Sequence, residues 1–179
     1  VVAADAVLRA RHLAPILGGF ELCSHAALER EPGLARPDAH VVLLDPPPGP
    51  PRARGALTHL AWGPDELRFA EQIHARDLDL RPQLPALYRA LREAGEASGA
   101  QLEALLRGEQ PAPRPAVLAG RLLRVLDELG LVELDAERRT LTVPPAERTD
   151  LERSEAFRAY YQQYEEGRRW LSGETAKAA

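Results

Sequence analysis

Along the first sixty positions, apolar residues fall in short runs separated by stretches with helical spacing. Val1–Ala4 predicts a strand, and Ala6–Leu13 predicts a helix that breaks at Pro15. After Gly18-Gly19, Phe20–Cys23 predicts a second strand, and Ser24–Arg30 a short helix with Ser24 as its N-cap. His40–Leu44 holds a continuous Val-Val-Leu-Leu run, the habit of a parallel strand covered on both faces. Asp45 ends that strand, and Pro46-Pro47-Pro48-Gly49-Pro50-Pro51 bars a regular ladder beyond it. Leu57–Trp62 predicts one further strand. Together these elements predict a small, mostly parallel α/β layer over residues 1–62.

Beyond this point the period changes to that of helices. Gly63-Pro64-Asp65-Glu66 is a start signal for a helix whose apolar stripe is Leu67, Ala70, Ile73 and His74. Pro82–Ala94 carries Leu84, Leu87, Tyr88 and Leu91 on one face and stops at Gly95. Ser98 and Gln101 predict a capping box ahead of Leu102, Leu105 and Leu106. Residues 63–107 thus read as a helical connector. Gly108–Pro115, with three prolines, reads as a stiff link.

Leu118, Leu122, Val125, Leu126 and Leu129 then form a helical stripe that ends at Gly130. Leu131–Leu134, a polar turn over Asp135–Arg139, and Leu141–Val143 follow directly. A helix running through glycine into two short strands around a charged turn predicts a winged-helix-like module over 108–148. Segments 98–107 and 116–129 are its helix pair, and 131–143 its wing. Thr149-Asp150-Leu151-Glu152 is a second capping box, opening a helix over 149–171 that holds five of the nine aromatic residues. Residues 172–179 read as a frayed tail. The expected class is mixed α/β.

Composition narrows the function. The chain has 179 residues, 45% apolar and 28% charged, as a globular protein does. No apolar run approaches the ~18 residues of a membrane span. A single cysteine, Cys23, leaves no internal disulfide, which predicts a reducing, cytoplasmic setting. With no methionine and an opening that already reads as a strand, the chain is expected to be a piece of a longer protein. Its basic residues are 22 Arg and one Lys, Lys177, and the net charge of -4 lacks the basic field of a dedicated nucleic-acid binder.

The chemistry is mostly absent. Val41–Asp45 fits a Walker B strand, but no Gly-rich loop ends in Lys-Ser/Thr to cradle phosphates, so the chain is not expected to be an NTPase. Asp45 is read as the cap of a strand end. His12, His25, His40, His59 and His74 are scattered singly, and Cys23-Ser24-His25 supplies two ligands where zinc wants four. No metal ligands and no catalytic residues are therefore assigned. Two surfaces remain for binding. Arg121, Arg124, Arg138 and Arg139 lie where a winged helix meets DNA, although residues 107–139 balance six arginines with six acids. Tyr160 and Tyr161, ~100° apart on a helix, and Arg168 and Arg169 make a candidate partner-docking surface on which one tyrosine faces outward.

Taken in order, His40-Val-Val-Leu-Leu-Asp-Pro-Pro-Pro48, Thr58–Gly63, Leu84–Leu91, Arg114–Glu133 and Pro144–Arg158 resemble the C-terminal region of some bacterial RecJ proteins, single-strand-specific 5′ to 3′ DNA exonucleases of repair and recombination. The resemblance implies that Mn²⁺ or Mg²⁺ is held by an Asp-His-His motif in upstream domains. Here the nearest match, Asp38-Ala39-His40, does not fit, so no catalytic residue carries over. It also implies an upstream oligonucleotide-binding barrel and interactions with partners such as single-strand-binding protein or a helicase. The expectation is a non-catalytic accessory module of such an exonuclease, binding single-stranded DNA weakly if at all, with an opening layer that is a degenerate helicase-like half. The alternative is a winged-helix DNA-binding transcription regulator with a fused α/β domain.

Overall fold

The computed structural model describes residues 1–16, 18–51, 57–108, 113–146 and 149–173. The chain divides into two compact units, residues 1–76 with 164–179 and residues 77–163. Residues 109–112 of the proline-rich link, 147–148 at the end of the segment expected to be winged-helix-like, and 174–179 of the tail lie outside the described residues.

The first unit holds four strands, β1 (Val2–Ala3), β2 (Cys23–Ser24), β3 (His40–Leu43) and β4 (Leu57–Leu60). All pair in parallel, in the order β2-β1-β3-β4. The second strand therefore starts later than Phe20–Cys23. Pairing decides this, because Val2 aligns with Cys23 and the Cys23 amide donates to the Val1 carbonyl at 3.0 Å. Helix α1 (Ala6–Leu13) starts at Asp5, whose carboxylate accepts the Val7 and Leu8 amides. Helix α2 (His25–Arg30) starts at Ser24, whose hydroxyl accepts the Ala27 amide at 3.1 Å, as its sequence predicts. Val2, Leu28, Val41 and Leu43 make a small core. Strand β4 sits at the sheet edge with all four residues exposed.

Helix α3 (Pro64–Leu78) buries Ala70, Ile73 and His74, three of its four predicted stripe positions. The Glu66 carboxylate closes its start by accepting the Gly63 amide at 2.9 Å. The last turns of α7 (Glu155–Leu171) belong to this unit. There His74 Nε2–H donates to the Tyr164 carbonyl at 3.0 Å, and the two rings stack at 5.8 Å. Gly167 faces the same imidazole, and a Cβ on it would overlap the ring.

The second unit runs α4 (Leu84–Ala94), β5 (Glu96–Ser98), α5 (Gly99–Arg107), α6 (Ala116–Glu128), β6 (Glu133–Asp135) and β7 (Thr140–Thr142), with the start of α7. Its strands form an antiparallel sheet in the order β5-β7-β6. Gly95 (φ 70°) and Gly130 (φ 65°) take the left-handed conformation that ends a helix without a Cβ clash. Leu84, Leu87, Leu91, Leu118, Leu122, Val125, Leu126, Leu141 and Phe157 are buried in one core.

Two predicted caps are not formed. Ser98 stands at the start of α5 but makes no side-chain capping bond, and its backbone pairs with Thr140 in the sheet. Thr149 does not cap α7 either. Asp150 caps a short 3₁₀ turn over Leu151–Arg153, and Ser154 Oγ accepts the Phe157 amide at 3.0 Å to start α7. The strand predicted from Leu131 begins at Glu133, where pairing with β7 starts opposite Thr142, while Leu131 and Val132 join the core. A mixed α/β fold with one parallel and one antiparallel sheet results.

Candidate functional site

In an open parallel sheet, ligands sit outside the carboxyl ends of the strands, where the strand order reverses. Here that point lies between β1 and β3, and the chain's own groups fill it. Asp45 leaves β3 fully buried, at 0% exposure. One of its oxygens accepts the Ala4 amide at 2.9 Å. Arg9 of α1 grips both oxygens through Nε (3.1 and 3.2 Å) and pairs again through Nη2. The same guanidinium lies 4.2 Å over the Phe69 ring. Asp5, at the end of β1, pairs with Arg76 at 2.9 Å. His25, following β2, donates Nε2–H to the Asp45 carbonyl at 2.9 Å. Burial lowers the His25 pKa against the opposing pull of that hydrogen bond.

The Walker B-like carboxylate is thus a buried structural anion neutralised by Arg9. Asp45 as a strand cap was legible in the sequence. Arg9 was not, because nothing in an isolated amphipathic helix says which acid its arginine will meet. Cys23 and His25 do not act together: Cys23, its thiol pKa raised by burial, lines a cleft of about 700 Å³ with Val2, Leu28 and His40. Among the described residues, no group of three or more His, Cys, Asp or Glu side chains is placed to hold a metal ion. No helix among them is long and apolar enough to cross a membrane.

In the second unit the β6–β7 hairpin carries Arg138 and Arg139 at its turn, both exposed. Arg139 holds φ 53°, unusual for a residue with a side chain. Arg138 donates its amide to Asp135 at 2.9 Å and sets its guanidinium 3.7 Å from the same carboxylate. Glu96, Glu133 and Asp135 line the adjoining cleft, so the arginines rise from an acidic sheet face. On α6, Arg121 donates to the Asp77 carbonyl at 2.7 Å and lies 5.6 Å over the Tyr160 ring. Arg124 pairs with Glu128 at 3.1 Å. The exposed positions of α6 are Ala116, Val117, Gly120, Arg124, Asp127 and Glu128, one cation against two acids.

Of the aromatic pair, Tyr160 packs on the core, whereas Tyr161 is 42% exposed and stacks on Phe157 at 6.2 Å. Arg168 and Arg169 are exposed in the other unit's part of α7, with Arg168 paired to Glu165 at 3.1 Å. The structure thus joins Arg121 with Tyr160.

Two arrangements escaped the sequence. The Glu128 carboxylate accepts both the Ser154 hydroxyl (2.8 Å) and the Ala156 amide (2.9 Å), so one residue of α6 completes the cap of α7. The Ala156 amide, then the Ser154 hydroxyl and Arg124, hold its pKa below the usual carboxylate value. His40 and His59 are not single: their Nδ1 and Nε2 lie 3.2 Å apart on neighbouring strands. The β3–β4 register pairs His40 with Leu57 and Val42 with His59, so the two histidines are diagonal neighbours on one face, which only the strand pairing reveals. Comparison with protein-family models, with curated proteins and with solved structures finds no match.

Proposed function

We propose that this chain is a non-catalytic accessory module of a RecJ-like single-stranded-DNA exonuclease, whose second unit docks a protein partner and touches DNA only at its hairpin tip. The observation that carries the reading is the order helix–strand–helix–helix–strand–turn–strand with sheet order β5-β7-β6, which supports a winged helix. Docking is favoured over groove reading by the surface of α6. A recognition helix presents cations and hydrogen-bonding groups to phosphates and bases. This helix presents Val117, Gly120, and an Arg124 already paired to Glu128. Metal-dependent hydrolysis with Mn²⁺ or Mg²⁺ would belong to upstream domains.

Fluorescence anisotropy tests this with labelled single strands, a duplex, and single-strand-binding protein. Expected is binding to the protein partner together with weak, steeply salt-dependent binding to single strands. Replacing Arg138 and Arg139 by Ala should lower DNA affinity and shrink the salt slope by up to about 2, since each arginine neutralises one phosphate. Dimer-dependent binding to a palindromic duplex would instead support a winged-helix regulator. Degradation of single strands with Mn²⁺, abolished by mutating this chain, would end the accessory-module reading.

A further inference from the structure

Among the described residues, strand β4 is an edge without the usual guards. Monomeric proteins protect sheet edges with charges, proline, bulges or a covering segment. Leu57-Thr58-His59-Leu60 has no charge and no proline. All four residues are exposed, with Leu57 at 54% and Leu60 at 62%. The Ala61 amide donates to the Leu43 carbonyl at 2.9 Å, so by alternation residues 57, 59 and 61 bond to β3. The amides and carbonyls of Thr58 and Leu60 therefore point away from the sheet. We infer that this edge pairs antiparallel with β4 of a second copy of the chain, closing a two-fold dimer through one continuous eight-stranded sheet.

The register follows from that alternation. In an antiparallel ladder, residues that exchange hydrogen bonds stand directly opposite each other. Only one two-fold register engages both outward residues of both copies: Thr58 opposite Leu60 of the second copy, and the reverse. His59 then stands opposite His59 of the second copy in a non-hydrogen-bonded pair. Leu57 meets the small Ala61. On one face each exposed Leu60 covers a threonine methyl, and on the other each exposed Leu57 packs beside an alanine. A second copy is the occupant that this strand fits. Uncharged edges meet without like-charge repulsion, and a two-fold pairing closes, whereas parallel head-to-tail pairing would propagate.

The test uses the 179-residue chain itself. Sedimentation velocity over a concentration series should show a monomer–dimer equilibrium. Leu60→Lys should raise the dissociation constant by about ten-fold or more, the scale of a disrupted interface centre, while thermal unfolding at low concentration stays unchanged. Register is read by cross-linking in a Cys23→Ser background. Under mild oxidation His59→Cys should form a covalent dimer, since its twin stands opposite, and Leu60→Cys should not. A chain that stays monomeric throughout, as it would if a strand from elsewhere in a longer protein covered β4, overturns the proposal. So does a dimer that is indifferent to Leu60→Lys and shows no cross-link at position 59.

Discussion

The two units are held together by different physics. In the second, thirteen buried residues from α4, α6, β7, α7 and the segments between them join in one apolar core. In the first, the corresponding cluster has four, and polar ties carry a larger share: Arg9 on Asp45, Arg76 on Asp5, His74 on the Tyr164 carbonyl. Apolar burial is non-directional and tolerates small shifts, whereas a buried ion pair needs its geometry. The first unit should therefore be sensitive to single polar changes, and the second to removed volume. Trp62 and Trp170 both lie in the first unit, and the second has no tryptophan, so fluorescence follows one unit while far-UV circular dichroism follows both.

The largest break in this contrast is Asp45→Ala, which leaves Arg9, its side chain only 15% exposed, without its anion and should cost about 3–5 kcal/mol. The change should appear first in tryptophan fluorescence during urea unfolding. Leu126→Ala removes a residue 1% exposed from the second core and should cost about 2–5 kcal/mol. A shift below about 1 kcal/mol would contradict the burial of this residue in the core. Gly167→Ala forces a methyl into His74 and should cost about 1–3 kcal/mol, again in the fluorescence transition.

Acid gives the finest separation. The folded value of His25 lies below the ordinary imidazole value, so the unfolded chain takes up that proton first. Its contribution is complete above roughly pH 6.5 and disappears as pH falls through the folded value. Glu128 is also lowered, but from the carboxylate range, so its contribution persists to about pH 4.3 and fades below it. On acidification the tryptophan signal should change before the helical signal does. Coincident transitions would contradict the assignment of these two groups to separate units.

How much of this was legible depended on whether the deciding partner lay nearby in sequence. The stripe of α6, the Ser24 cap and the glycine stops were readable, because their causes lie within a few residues. Strand β5 was invisible: Glu96-Ala97-Ser98 has no strand pattern and exists because Leu141 and its neighbours align with it. Ser98 looked like a cap and became a ladder residue for the same reason. Local pattern also placed the start of α7 at Thr149, yet Glu128, in another helix, completes the cap five residues later at Ser154. Among site residues, the outward tyrosine followed from helical geometry, whereas the pairing of Arg9 with Asp45 is a tertiary event 36 residues apart.

The end of α7 is fixed mechanically. A stripe of leucines can slide against its neighbour by a turn and still find apolar company. The notch at Gly167 allows no such freedom, since only a residue without a side chain fits over the His74 ring. Advancing α7 by a single residue, 1.5 Å along its axis and 100° around it, would bring Glu166 or Arg168 into that space. Gly167 therefore works as a detent. It indexes the end of the helix to one axial position and one rotation, and in doing so sets where Trp170 and Leu171 fall around it.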